Sequence, residues 1–276
     1  PDSNQFTITQ PSAPLSVVAS QVNVTCFNES TGNISLSVSG GTTSYTYTWS
    51  TGQSTPTINN IPSGTYNYVV TDANLCTYQD SIIITQPDSI ISSITSATDV
   101  SCFGYSDGSF SINVTGGTSP YSYLWSNGAT TSSSNLVSAN TYTVLITDAL
   151  GCVHNDTVIV AEPSQISVLF TLDSISCPSG NDGVLTAEGF GGNPDYNYTW
   201  STSNPNGFSV LNDSTIEQIS EGTYTVVIDD ANLCTATFSY IVLDPDPIVI
   251  SGQVIDVACN GDNSGSITTN ILGATP

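Results

Sequence analysis

Four cysteines set a period. Cys26, Cys102, Cys177 and Cys259 follow one another at intervals of 76, 75 and 82 residues, and a tryptophan stands 23 residues after each of the first three, as Trp49, Trp125 and Trp200. A second cysteine closes each unit, 50 residues after the first in Cys26/Cys76 and Cys102/Cys152 and 57 after it in Cys177/Cys234. Self-similarity at a domain-sized period means a series of like units, since each stretch presents the same pattern to the same local physics. The extra residues of the third unit lie between Trp200 and Tyr224, because Tyr224 still stands 10 residues before Cys234, as Tyr66 and Tyr142 do before Cys76 and Cys152. A surface loop accepts such an insertion.

Each unit ends on a proline after an alternating Ile/Val pattern: Thr9-Gln10-Pro11, Thr85-Gln86-Pro87, Ala161-Glu162-Pro163 and Leu243-Asp244-Pro245. Proline has no N–H to give to a central ladder, so these tripeptides mark junctions. The expected organisation is 1–14 as the end of a preceding module, 15–87, 88–163 and 164–247 as three repeat modules, and 248–276 as the start of a following module. On this reading the native protein continues at both ends, and its short junctions make a semi-rigid string.

Within a unit the pattern is that of strands. Val, Ile, Thr and Tyr dominate, and no stretch repeats its apolar residues at a helical spacing. In the first unit the alternation predicts strands over Leu15–Val24, Asn33–Ser39, Tyr45–Ser50, Thr55–Asn60, Thr65–Thr71 and Thr77–Thr85. Gly40-Gly41, Gly116-Gly117 and Gly191-Gly192 supply turns, as does Ser126-Asn127-Gly128, where positive φ is required. The predicted fold class is all-β: tandem Ig-like antiparallel β-sandwich modules of about six to seven strands, each with one disulfide.

Cysteine counting leaves two pairings open. Bridges inside a unit and bridges across a junction (Cys76–Cys102, Cys152–Cys177, Cys234–Cys259) both leave one thiol over. Strand parity decides between them. In an up-and-down run of six strands, the turn after the first strand and the turn before the last lie at the same end. The next unit's first cysteine is then roughly two strand lengths away at ~3.3 Å per residue, beyond the ~7 Å Cα limit for a bridge. The expected bridges are Cys26–Cys76, Cys102–Cys152 and Cys177–Cys234, each stabilising its module by roughly 4 kcal/mol in the chain-entropy picture.

Charge restricts the partners. With no Lys or Arg against 23 Asp and Glu, the formal net charge is −23. Nucleic acid is excluded as a partner, because phosphate contacts need cations to displace counterions, and anionic membranes are excluded on the same ground. At 38% apolar residues the chain nonetheless has the makings of a core, unlike an acidic disordered tail. No apolar run reaches the roughly 18 residues of a membrane helix, so no membrane insertion is expected. Seven cysteines without a CxxC pair fit disulfides in an oxidising, extracellular compartment better than zinc.

Few residues offer chemistry. His154 is the single histidine and has no repeated nucleophile beside it, so no catalytic constellation can be assembled and an enzyme is not expected. One tryptophan per unit at a fixed distance from a cysteine reads as core rather than as a sugar-stacking platform, and the pairs Tyr45/Tyr47, Tyr121/Tyr123 and Tyr196/Tyr198 share its face by their period of two. Asp72, Asp148 and Asp229 recur before the second cysteine, and Asp107, Asp182 and Asp262 after the first. These aspartates either cap turns through their own backbone or, with carbonyls, form a weak calcium site; turn capping is the simpler reading, and no other cofactor is expected.

The stretches Gly40-Gly41-Thr42-Thr43-Ser44-Tyr45-Thr46-Tyr47-Thr48-Trp49-Ser50-Thr51-Gly52, Ser63-Gly64-Thr65-Tyr66 and Thr71-Asp72-Ala73-Asn74-Leu75-Cys76 resemble the SprB repeat of Bacteroidetes surface proteins, and so do their counterparts in the later units, such as Thr147-Asp148-Ala149-Leu150-Gly151-Cys152. Leu75 and Leu233 depart from the Gly usual before the second cysteine, and Asn140 from the Gly usual before Thr141-Tyr142. The resemblance implies very large adhesins exported by the type IX secretion route to the cell surface, with gliding motility as the best-known role. With the Bacteroidetes resemblance comes an Asp-Ser/Thr-aliphatic O-glycosylation pattern, matched by the candidates Ser81, Ser89, Thr157 and Ser174; ordinary strand-start alternation near the module junctions is the competing reading. The expected function is therefore a structural stalk or spacer of a filamentous adhesin, partnered by neighbouring repeats of the same chain and by surface polysaccharide or other filament chains. The alternative is a glycan-binding module array on a secreted protein.

Overall fold

The computed structural model describes residues 10–261 and 263–273. Thr9, Asp262 and Ala274–Pro276, which enter the junction, aspartate and module-end expectations above, lie outside the described residues. The described chain is all-β: 21 strands and no helix. It divides into two compact units. The first comprises the residues up to Thr98 with Ser109–Asn135 and Asn140–Val160; the second comprises Asp99–Gly108, Leu136–Ala139 and the residues from Ala161 onward.

The strands recur in sets. The first is β1 (Ser16–Val22), β2 (Gly32–Ser39), β3 (Thr46–Trp49), β4 (Thr57–Ile61), β5 (Gly64–Thr71) and β6 (Thr77–Ile84). The second is β7 (Ile91–Thr98), β8 (Gly108–Thr115), β9 (Ser122–Trp125), β10 (Ser133–Val137), β11 (Asn140–Thr147) and β12 (Val153–Val160). The third is β13 (Ser167–Asp173), β14 (Gly183–Phe190), β15 (Asn197–Thr202), β16 (Ser209–Asn212), β17 (Thr215–Ile219), β18 (Gly222–Asp229) and β19 (Thr235–Val242), and the hairpin β20 (Val249–Ile255) and β21 (Ser266–Leu272) follows. The residues added in the third set are more than a loop: β16 pairs with β17 and gives its sheet a fourth strand.

Each of the first two sets makes two three-stranded antiparallel sheets, β1-β2-β4 with β3-β5-β6 and β10-β8-β7 with β12-β11-β9. Alternation explains the packing. In β2 and β5 every second residue is buried, Ile34 and Leu36 facing Tyr66, Tyr68 and Val70, and Trp49, Ile58, Ile61, Ile82 and Ile84 complete one core between the sheets. Tyr45, Tyr47 and Tyr78 pack partly buried around it.

The direction of the strands departs from an up-and-down run. The Val24 N–H donates to the Thr85 carbonyl at 3.0 Å, so β1 and β6 finish at the same end and run the same way. Since β4 is antiparallel to β2, and β3 to β5, strands β3 and β4 also run in one direction. They are half-strands of 4 and 5 residues that together make one pass of the module, changing sheets midway. The Trp49 indole N–H donates to the Thr55 carbonyl at 2.9 Å across this change, and the Trp125 indole does the same to Thr131 at 2.9 Å.

That single pass shared by two strands reverses the parity. The turn after the first strand lies where the chain leaves a repeat, and the turn before the last strand lies where the chain enters it. The bridges expected at Cys26–Cys76, Cys102–Cys152 and Cys177–Cys234 do not form, and a repeat does not close on a disulfide of its own. The bonds are Cys26–Cys152 and Cys102–Cys234, with Cα separations of 5.5 and 5.6 Å, while Cys76, Cys177 and Cys259 are free.

Candidate functional site

The bonds define a staple with two halves. The donor half is the turn carrying the first cysteine of a repeat, and the receiving half is the opposite end of the next repeat. In the first compact unit Cys26 reaches Cys152; in the second, Cys102 reaches Cys234.

The donor turn is braced by the end of its own repeat. The N–H two residues beyond the cysteine is donated to the side chain just before the junction proline: Asn28 to Gln86 Oε1 at 3.0 Å, Gly104 to Glu162 Oε2 at 2.9 Å, and Ser179 to Asp244 Oδ2 at 3.0 Å. A second side chain closes the turn, Thr31 Oγ1 accepting from Thr25 N–H and Asp107 and Asp182 Oδ1 from the N–H of Ser101 and Ser176. In the sequence Gln86, Glu162 and Asp244 stand out only as neighbours of the junction prolines. The signal was present, since each is an acceptor placed just before proline in all three units.

The receiving half is built on a carboxylate four residues before the second cysteine. Asp148 Oδ1 accepts the N–H groups of Leu150 and Cys152, and its Oδ2 that of Thr118, all at 2.9 Å. Asp72 does the same for Asn74, Cys76 and Thr42, and Asp230 for Asn232, Cys234 and Asn193. The carboxylate fits because the facing residue is glycine: a Cβ on Gly117 would stand 2.9 Å from Asp148 Oδ2 and 2.7 Å from Ile90, at a φ of +59°. Its neighbour Gly116 admits the lead-in segment, where a Cβ would meet the Ser89 carbonyl oxygen at 1.9 Å. At the second staple this half also grips the donor backbone, Asn193 and Asn232 both donating to the Ser101 carbonyl, at 3.4 and 3.2 Å.

These aspartates cap turns. Thr42 N–H holds the Asp72 carboxyl below the ordinary carboxylate value, its other N–H donors adding to that against the effect of burial. Burial pushes Asp148 and Asp230 up, but the converging N–H groups outweigh it and hold both down. Asp107 and Asp182 are lowered by bonds from the Ser101 and Ser176 side chains and backbones. Donors pointing at a carboxylate oppose a cation beside it, so the geometry favours turn capping over the calcium expectation. Asp229 is not the counterpart expected from the sequence: it ends β18, and Asp230 holds the position of Asp72 and Asp148, with the same four-residue spacing to the cysteine.

A pH dependence follows. Because Asp148 and Asp230 titrate lower in the fold than in the unfolded chain, their stabilisation is complete above about pH 4, near the ordinary value of 3.8, and is lost as pH falls through the folded values. Denaturant titrations should show stability dropping below pH 4. Asp148→Asn should be less stable by about 1–3 kcal/mol at neutral pH, because its amide faces donors, and should flatten that acid limb.

The remaining sequence candidates lie apart from the staple or at its edge. Ser81 and Thr157 are exposed on β6 and β12, Ser174 is exposed after β13, and Ser89 is half-buried in the lead-in to β7. His154 Nε2 lies 3.1 Å from Ser92 Oγ, whose proton goes to Asp156. That hydroxyl is a donor to carboxylate rather than a nucleophile poised on imidazole.

Residues 18–54 and 94–130 match the SprB repeat family. These two stretches are SprB repeats. The matched SprB stretches run from the first strand through the donor turn to the tryptophan turn, and the repeats mark this as a repeat-containing surface protein. No curated protein matches the sequence. Among solved structures, the N-terminal eight Ig domains of Down Syndrome Cell Adhesion Molecule are similar at 11% identity and a TM-score of 0.30, over 88% of this chain and 49% of that one. The surface layer protein SbsC, domains 1–6, is similar at 13% identity and a TM-score of 0.28, over 97% and 49%. The chain thus spans about half the length of either.

Proposed function

We propose that the chain is a structural stalk or spacer region of a filamentous cell-surface adhesin, displayed for attachment or gliding and exported by the type IX route, and that it performs no catalysis. The observation that carries this reading is the staple, which joins each of the first two repeats to its successor. A bridge inside a module protects only that module. A bridge to the next module protects the junction, where a chain under tension would otherwise part first. The negative charge suits the same role, since it keeps such chains soluble and apart. The rival reading, a glycan-binding array built on the tryptophans, needs their faces open to solvent, and Trp49 and Trp125 are buried.

Stretching single molecules by their ends checks the reading. At forces that unfold strands but spare S–S bonds, the 126-residue separation of Cys26 and Cys152 is withheld from extension, about 400 Å at ~3.3 Å per residue. The oxidised chain should therefore stop at least that far short of the reduced chain. Equal extension of the two would remove the mechanical role.

A further inference from the structure

Cys76 occupies the same place in the first repeat as Cys152 and Cys234 do in the second and third, yet it is a free thiol. The receiving half around it is complete. Asp72 accepts its three N–H groups, and Gly41 leaves room for the carboxylate, a Cβ there standing 2.7 Å from Asp72 Oδ2. The lead-in segment is seated too, Gly41 N–H donating to the Ala13 carbonyl at 2.9 Å as Gly117 does to Asp88 and Gly192 to Ser164. A cleft lined by Pro11, Ala13, Leu15, Gly41, Asp72 and Cys76 stands where the other two clefts include Cys26 with Phe27 and Cys102 with Phe103. Burial registers the difference. Cys152 and Cys234 are 8% and 6% exposed and the lead-in residues Ile90 and Ile166 are buried, whereas Cys76 is exposed and Leu15 is half-buried. Asn74, the counterpart of Asn232, donates to Thr42 Oγ1 instead of to a donor-turn carbonyl.

We propose that this cleft is the receiving half of a third staple, and that its occupant is the first-cysteine turn of a SprB repeat joined directly ahead on the same polypeptide, bonded to Cys76. In both filled cases the donor belongs to the repeat immediately ahead and is braced by the residue before the junction proline, and Gln10-Pro11 repeats that dipeptide. The bridge forms by exchange with a small-molecule disulfide: two thiols become one S–S bond, and the disulfide takes up both electrons and both protons to leave as two thiols. The free Cys177, on a turn braced by Asp244, is the matching donor half. The proposal rests on the staple reading above.

The test inserts a copy of residues 88–163 between Pro11 and Ser12 and oxidises the chain with glutathione disulfide. Peptide mapping without reduction should reveal a new pair, a Cys102-type peptide joined to the Cys76 peptide, and alkylation should count as many free thiols as the original chain, which has three, although two cysteines have been added. Cys76→Ser in the extended chain should abolish the pair and free one thiol at the inserted turn. Cys76 still alkylated in the extended chain overturns the proposal. So does Cys76 joined to Cys26, which would also break Cys26–Cys152. Loss of Cys26–Cys152 from the original chain would overturn the staple reading itself, so the two failures are separable.

Discussion

Cut once at position 88, the oxidised chain is expected to remain a single covalent species until a reductant is added. With no Lys or Arg in the sequence, Asp88→Lys creates the one trypsin site, on an exposed residue in the lead-in to β7. Digestion in denaturant removes any protection by folding and leaves only connectivity to be read. Cys26–Cys152 spans the cut, so residues 1–88 and 89–276 stay joined and separate only on reduction. Bridges closed within each repeat would leave this junction unspanned, and the fragments would part at once. Because Cys102 precedes Cys152, the two loops overlap, and every peptide bond between Cys26 and Cys234 lies under at least one of them. Asp256→Lys, beyond both loops, is the control and should release its fragment without reductant. Loop-closure entropy hardly distinguishes the two connectivities: separations of 126 and 132 residues correspond to about 5 kcal/mol each, against roughly 4 for a loop of about 50 residues. What the longer bridges change is which bonds can break without loss of the chain.

The strands were legible because half-buried strands alternate, and in the first repeat observed and expected limits agree closely. The pairing of the cysteines was not. It depends on whether the chain reverses between β3 and β4, and two strands of four or five residues look the same in sequence whether they are two passes or one. The indole of Trp49 makes the shared pass workable by satisfying Thr55 inside it, and a fixed Cys-to-Trp spacing says only that the ring is needed somewhere. Leu75 and Leu233 illustrate the same gap. They hold φ of +65° and +63° where the second repeat has Gly151 at +86°, a left-handed conformation that costs a branched side chain roughly 1–2 kcal/mol. Sequence showed the departure from glycine, but only the fold shows that the departure is strained. The tyrosines ten residues before the second cysteine likewise gave a reliable landmark and no hint of their bond, Tyr66 donating back to the Pro62 carbonyl at 2.7 Å and Tyr224 to Ser220 at 2.9 Å.

Removal of the tryptophan from the second repeat should be the most damaging single change to the fold. Trp125 is 2% exposed, lies 4.5 Å centroid to centroid from Phe110, and bonds the backbone where the chain changes sheets. Trp125→Ala should cost about 3–5 kcal/mol from lost burial and the cavity it leaves. Trp125→Phe keeps most of the apolar volume but orphans the Thr131 carbonyl, at about 1 kcal/mol. Trp200→Ala should cost less than Trp125→Ala, because Trp200 is only half-buried and its indole bond, to Asp213, is 3.3 Å long. Denaturant unfolding of the oxidised proteins would give this order. Since Cys102 and Cys152 both belong to the second repeat, the Trp125→Ala chain should also lose protection at both staples, with faster reduction of Cys26–Cys152 and of Cys102–Cys234 than in the parent. A Trp125→Ala protein as stable as its parent, and reduced no faster, would show that the ring is not what holds the half-strands together.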